Sequence, residues 1–388
     1  MVERRLLLLA SGAFLVATDG TLVVGLLRQI SRALSASPAA TGQAVTVFAA
    51  VYALATPPLV RATRRLPPER LLVVALALFA IANAGTGAAP NLAALLAVRV
   101  LAAIGAGVFM ATAAGVAADS GRPDRRGRRL AVVVGSASAA TALGVPLGTL
   151  LGSTVGWRTI FYGIAVLSAL IAIACAISLS PAQERAREPV RAGFGGRLTV
   201  LTLATTMLWA SGSFTFFTYI AVVLRHTAAV GTAGLAGFLL LFGLSGIGGA
   251  AAAGWLTDTK GPLVPLAAAL GLVVVALAAL GITAAVAGGG GAGAVIASAL
   301  ALAAYGTGSW AITPPQQHRL LEAGGDDRLL LSLNASAIYA GVAAGSALGG
   351  IILAATSSTA AVCLLAAGIE LLALASLAAA YPRPREHV

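Results

Sequence analysis

Three ionisable residues stand deep inside apolar runs of the chain: Asp19 in "LVATDGTLVVGLL", Arg99 in "LAVRVLAAIGAG" and Glu370 in "AAGIELLAL". A charged group near the centre of a membrane-length helix costs roughly 2.5–3.5 kcal/mol on insertion scales, so such a group faces protein or water rather than lipid. Burial opposes the charge on a carboxyl group, and a nearby cation favours it. An acid poised between those forces can load a proton in one environment and release it in another. Asp19, roughly 20 Å of helix rise beyond Leu6, can therefore carry a proton, contact a substrate directly or complete a structural polar pair. Arg99 cannot lose its proton. Its role is to bias a carboxylate or relay, or to pair with backbone carbonyls.

The elements that carry these groups are membrane spans. Of 388 residues, 59% are hydrophobic and 10% are charged, whereas soluble domains carry about a quarter charged residues. Apolar runs long enough to cross roughly 30 Å of hydrocarbon as helices fall at 5–27, 40–60, 71–89, 92–118, 130–152, 157–180, 198–224, 229–257, 262–287, 292–316, 330–355 and 357–381. They lack the alternating polarity and the roughly 10-residue length of barrel strands. The expected class is an all-α polytopic membrane protein of twelve transmembrane helices. The first run follows Arg4-Arg5 but is too long for a cleaved signal peptide, and reads as an uncleaved helix.

The net charge of +12 reports topology rather than a nucleic-acid partner. With the N-terminus and every second loop on one side, that side holds 20 of the 25 basic residues, while Arg28, Arg32, Arg158 and Arg225 lie opposite. By the positive-inside rule both termini are cytoplasmic. Cys175 and Cys363 fall in apolar spans and form neither a disulfide framework nor a metal spacing. A single Lys among the 25 basic residues, with abundant Ala and Gly, suggests a GC-rich bacterial genome. His226, His318 and His387 lie far apart. "GGGGAG" at 288–293 lacks the Lys-Ser/Thr of a phosphate loop and reads as an outer loop. No enzyme, metal or cofactor is expected, so energy for any pumping comes from a gradient.

The long polar stretch 181–197 reads as a cytoplasmic linker between an N-terminal bundle, 1–180, and a C-terminal bundle, 198–388. At an offset of 194, Val60 and Arg64 fall on Gly254 and Asp258, and Asp19 falls on Ser213. "GVPLGTLLG" spaces Gly144, Gly148 and Gly152 four apart, and "GVAAGSALGG" does the same with Gly341, Gly345 and Gly349. Such stripes let another helix backbone approach closely, and they are expected to pack between the halves. The seventh run concentrates Trp209, Phe214, Phe216, Phe217 and Tyr219 beside Ser213. Aromatics with a few polar groups line pockets for apolar ligands, although they also serve as membrane packing and interface anchors.

On these residues the chain resembles the major facilitator superfamily, and within it the twelve-span bacterial drug:proton antiporters of the sugar-efflux and chloramphenicol-resistance type. "RVLAAIGAG" resembles the family's fourth-helix motif, and "GVPLG" with Pro146 its fifth-helix antiporter motif. "GWRTIF" resembles the opening of the sixth helix, "LNASAIYAGVAAGSALGG" with Asn334 the eleventh, and "GWLTD" the second-half loop motif. Asp19 matches an acid that many relatives carry in the first helix. The first-half loop motif departs at Val60 and Arg64, and Arg28 stands where a Pro is usual. The resemblance therefore implies that Gly254 and Asp258, rather than Arg64, serve the cytoplasmic latch. It makes the twelfth helix peripheral, so Glu370 reads as an acid protonated or paired near an interface, or else as a coupling residue. Trp209, Ser213, Phe216, Phe217, Asn334 and Asp19 are expected to contact substrate.

The expectation is a monomeric, proton-coupled exporter of small, largely apolar, neutral or cationic compounds in a bacterial inner membrane, with protons and the lipid bilayer as its other partners. The alternatives are a uniporter or importer of a sugar, nucleoside or amino acid, and a non-transporting sensor with the same fold.

Overall fold

In hydrocarbon a chain segment must satisfy its own backbone N–H and C=O groups, and a helix does so within one segment. The computed structural model describes residues 2–63, 65–119, 132, 133, 135, 136, 139–178, 196–286, 290–322 and 327–380, and regular structure among them is helical throughout. Eleven described helices are long and apolar enough to cross a membrane. A shorter apolar helix, Ala140–Val155, stands where the sequence places the fifth span. Arg64 and the expected linker as far as residue 195 lie outside the described residues.

In chain order the spans are α1 (Val2–Ala33), α2 (Pro38–Ala62), α3 (Pro68–Ala88), α4 (Leu92–Asp119), α5 (Val145–Val155) and α6 (Trp157–Ser178). There follow α7 (Arg197–Phe217), α8 (Thr232–Lys260), α9 (Leu263–Val286), α10 (Ala292–Ala311), α11 (Asp327–Thr356) and α12 (Thr359–Ala380). Short helices Ile220–Thr227 and Thr313–Glu322 continue α7 and α10.

Helix boundaries follow local chemistry. Ser37 caps α2, its hydroxyl accepting from the Ala40 N–H at 3.1 Å, with Pro38 in the first turn. Asn91 accepts from the Ala94 N–H at 2.9 Å at the start of α4. Gly156 separates α5 from α6 at φ 86°, a left-handed conformation that favours glycine. Pro146 has no N–H to continue the helical ladder. The turn before it widens into a π-turn, Ala140–Gly144, closed by the Val145 N–H on the Ala140 carbonyl.

The described helices form two compact units, Met1–Arg187 with Val230–Leu240, and Glu188–Ala229 with Leu241–Val388. In the first, α3 packs on α4 and α6, and α1 on α5 and α6. The second repeats the scheme, with α9 on α10 and α12, and α7 on α11 and α12. Glycines set the closest approaches. A Cβ on Gly105 of α4 would lie 2.8 Å from the Ala75 carbonyl, and one on Gly308 of α10 would lie 2.9 Å from that of Ala269. Ala75 and Ala269 stand 194 residues apart, the offset at which the loop motifs align.

The two glycine stripes pack inside their own units, which corrects the expectation that they join the halves. Gly144, Gly148 and Gly152 face Thr18, Leu22 and Leu26 of α1. Gly341, Gly345 and Gly349 face Met207, Ser211 and Thr215 of α7. The physical reason is reach: a bare glycine surface is filled by the helix packed directly on it, and α1 and α7 are those helices.

Arg158 of the "GWRTIF" segment ties α6 to the end of α3. Its Nη1 donates to the Gly87 and Ala89 carbonyls at 2.8 and 2.7 Å, and its guanidinium lies 4.5 Å from the Trp157 ring centre. Arg158→Ala removes both bonds from carbonyls that end a helix, and should cost about 1–3 kcal/mol. A lower midpoint of thermal unfolding in detergent, with Arg158→Lys recovering only part of the loss, is the expected result.

Candidate functional site

In the first unit, α1, α2 and α4 converge on a buried ion pair. Arg99 Nη1 donates to Asp19 Oδ1 at 2.7 Å, and Nη2 lies 3.4 Å from the Asp19 backbone carbonyl. Both side chains are 0% exposed. The guanidinium also sits 4.5 Å from the centre of the Phe48 ring on α2, a cation–π contact. The pairing is single-pronged. Asp19 Oδ2 and Arg99 Nε are buried with no hydrogen-bond partner among the described residues. Burial opposes the carboxylate's charge while Arg99 favours it, so protonating Asp19 exchanges one arrangement for another within the same site.

The second unit places a different arrangement at the corresponding helix. Ser213 of α7, 194 residues beyond Asp19, donates from Oγ to Glu370 Oε1 at 2.8 Å. The Ser213 hydroxyl also lies 3.4 Å from that of Ser309, and the Tyr305 hydroxyl donates to the Ser213 carbonyl at 3.1 Å. Glu370 is fully buried midway along α12, and Oε2 has no partner among the described residues. This corrects the reading of Glu370 as an acid near an interface. Gly212 makes the approach possible, because a Cβ there would come within 2.8 Å of Glu370 Cγ and 2.9 Å of Oε1.

Residues 9–328 match the family model of the Major Facilitator Superfamily. The chain belongs to the major facilitator superfamily. It is 28% identical over 386 residues to YbcL of Bacillus subtilis, an uncharacterized MFS-type transporter, covering 98% of this chain and 97% of that one. It is 30% identical over 371 residues to a chloramphenicol efflux pump of Mycobacterium tuberculosis, covering 90% of this chain and 86% of the pump. Among solved structures, a bacterial homologue of the human lysosomal transporter Spinster superposes with a TM-score of 0.76 at 16% identity, covering 99% of each chain. The chain is thus a multi-pass membrane transporter of this superfamily and not an enzyme.

The other residues singled out from the sequence take varied places in this major facilitator fold. Phe216 and Phe217 are packed in an aromatic cluster. Phe216 meets Tyr305 edge-on with centroids 5.1 Å apart, and Phe242 lies 5.0 Å from Phe217 and 5.5 Å from Tyr305. Trp209 is half-buried, and its shielded indole N–H has no partner among the described residues. Asp258 is exposed in the last turn of α8 with no ion pair among the described residues, and a Cβ on Gly254 would meet open space.

Asn334 joins a network that the sequence did not announce. Its Oδ1 accepts from Thr206 at 3.0 Å, and Gln316 Nε2 donates to Thr206 Oγ1 at 2.9 Å and to the Thr202 carbonyl at 3.1 Å. Arg319 Nη1 in turn donates to Gln316 Oε1 at 2.6 Å. Arg319, grouped by sequence with the loop cations, is fully buried, because the tenth span continues past Pro314 and Pro315 to Leu320. The polar run "TPPQQHR" masks that continuation in a hydropathy reading. Phe48, Tyr305 and Ser309 were equally silent, since an aromatic or a serine in a membrane helix carries no partner information of its own.

Proposed function

We propose that this chain is a proton-coupled exporter of small, largely apolar, neutral or cationic compounds, working by alternating access in a bacterial plasma membrane. The observation that carries the reading is the buried Asp19–Arg99 pair, with one carboxylate oxygen unpartnered among the described residues. A proton arriving at Asp19 discharges the carboxylate and releases Arg99 from its partner, leaving the guanidinium on the Phe48 face and the Asp19 carbonyl. Re-forming the pair expels the proton. A site that changes its internal charge pairing in this way gives two protein conformations different affinities for the proton, which is what coupling requires.

The likeness to a pump named for chloramphenicol efflux supports outward drug transport. In this reading the halves 1–180 and 198–388 rock about the linker 181–197, both termini are cytoplasmic, the working unit is a monomer and Asp258 serves the cytoplasmic latch. Trp209, whose indole N–H has no partner among the described residues, is the leading cargo contact. One proton entering across 100 mV supplies roughly 2.3 kcal/mol, and one pH unit adds about 1.4 kcal/mol. Together they sustain a cargo gradient of roughly a few hundred-fold.

The test is a susceptibility panel of apolar antibiotics, chloramphenicol included, on cells with and without the protein. Expression should raise tolerance several-fold for at least one compound, and a protonophore should remove the gain in vesicles. Unchanged tolerance across the panel, or flux indifferent to the protonophore, contradicts the reading.

A further inference from the structure

Each unit contains one fully buried carboxylate with one oxygen bonded and the other unpartnered among the described residues. The resemblance ends at charge. Asp19 has the Arg99 guanidinium at 2.7 Å, whereas Glu370 Oε1 accepts from the Ser213 hydroxyl at 2.8 Å and the acid has no ion pair among the described residues. The elements packed on α12 are α7, α9, α11 and the short helix Ile220–Thr227. On α7 the charged residue is Arg197, exposed at its first position, and α9 carries no charged residue. On α11, Asp327 and Arg328 lie at the start of the helix, and Tyr339 is half-buried.

His226 and Arg225 of the short helix lie toward the other end of α12, where His226 Nδ1 is 3.2 Å from the Thr359 hydroxyl. Thr359 is about 16 Å of helix rise from Glu370. The titratable group facing Glu370 is Tyr305 of α10, whose proton is committed to the Ser213 carbonyl. A carboxylate in such surroundings pays the desolvation penalty of a buried charge without a cation to offset it.

We infer that Glu370 is a second proton-binding site of this transporter, occupied as the neutral acid in the conformation seen here, with its proton on Oε2. The hydrogen bonding is consistent with that assignment. Ser213 donates to Oε1, so Oε1 is the carbonyl oxygen and Oε2 carries the hydrogen. Ser309 in turn is left to donate to Ser213, which gives a directed chain from Ser309 through Ser213 to the acid. Because Oε2–H has no acceptor among the described residues, any conformation that brings water to it provides the exit for the proton. The molecule then holds two protonation sites of different kinds, one exchanged against an arginine and one against solvent access alone. The site's part in transport rests on the exporter reading, while its existence is measured without any transport.

The experiment is infrared spectroscopy of the purified full-length protein carrying carbon-13 glutamate, titrated from acid to alkaline pH. A protonated-glutamate carbonyl band should be present in wild type and in Asp19→Asn, absent in Glu370→Gln, and diminished at alkaline pH or on adding chloramphenicol. Ser213→Ala should move the band to higher wavenumber, because the carbonyl loses its hydrogen bond. That shift assigns the band even should Glu370→Gln fail to fold. Absence of the band in wild type, or its indifference to Ser213→Ala, overturns the assignment. A band constant across pH and unmoved by chloramphenicol marks a structural acid and overturns it as well. A band that titrates while Asp19→Asn transports normally retains this inference and removes the exporter reading's coupling site.

Discussion

Asp19→Asn should abolish uphill export driven by a proton gradient, while downhill cargo exchange in vesicles persists. Asparagine keeps the size of the side chain and an acceptor oxygen for Arg99 Nη1, so the contact between α1 and α4 survives in shape. What disappears is the carboxyl group that takes up and releases the proton in the proposed cycle. With no charge to gain or lose at this position, proton binding no longer distinguishes two conformations, and a ligand without differential affinity shifts no equilibrium. The loss should be the full concentrative capacity, roughly a few hundred-fold under a gradient of one pH unit and 100 mV.

Arg99→Leu makes the complementary case. It leaves the Asp19 carboxylate buried without its cation, and breaking a buried pair from one side costs about 3–5 kcal/mol. Asp19→Asn breaks the same pair from the other side and should lower the unfolding midpoint at least as much, because an unpaired Asp19 can take up a proton whereas the Arg99 guanidinium cannot shed one. Cargo-induced proton release from purified protein near neutral pH is the deciding measurement. Equal release from wild type and Asp19→Asn would show that the coupling proton is bound elsewhere, with Glu370 next in line.

Gly345→Leu should be the most damaging of the glycine replacements, and Gly148→Leu distinctly milder. Both positions look alike in sequence, each the middle member of a stripe. Their surroundings differ in kind. A Cβ at Gly148 collides with the tip of the Leu22 side chain, which can change rotamer. A Cβ at Gly345 collides with the Ser211 carbonyl oxygen, and the Ser211 carbonyl carbon lies 2.8 Å away. Backbone of a packed helix cannot turn aside, so α7 and α11 must separate along their length. That separation also breaks the Ser211 hydroxyl bond to the Gly341 carbonyl at 3.2 Å and the Tyr219 bond to the Ser346 carbonyl at 3.0 Å.

Overpacking typically costs about 1–3 kcal/mol, and Gly345→Leu should exceed that range. Even Gly345→Ala should fall within it, while Gly148→Ala stays near its lower end. Thermal unfolding midpoints of the four variants in detergent provide the ranking. Equal losses at the two positions would mean that the α1–α5 and α7–α11 contacts are equally rigid, against the geometry described above.

The contrast shows how much of the molecule was legible beforehand. Asp19, Arg99 and Glu370 could be singled out because an ionisable residue in an apolar run violates the local solvent's preference, a signal that needs no neighbour. The membrane class and most span positions were legible for the same reason: hydropathy is summed over adjacent residues. In the fifth span nothing in the sequence signalled that the helix ahead of Pro146 widens into a π-turn over Ala140–Gly144 before continuing as Val145–Val155. The tenth span was cut short by its own prolines and glutamines.

Partners are another matter. Arg99 meets Asp19 across 80 residues, and Ser213 meets Glu370 across 157. A helix that is apolar on every side has no amphipathic stripe to say which face turns inward, so the sequence leaves its rotation open. Packing settles that rotation, through the few places where glycine lets two backbones close. The sequence alone therefore determined that this is a helical membrane protein with three costly charges to explain. Only the tertiary structure decided that one acid has an arginine and the other a serine, that the glycine stripes serve each half separately, and that Arg319 is buried. Those outcomes depend on contacts between distant helices, and no local periodicity encodes them.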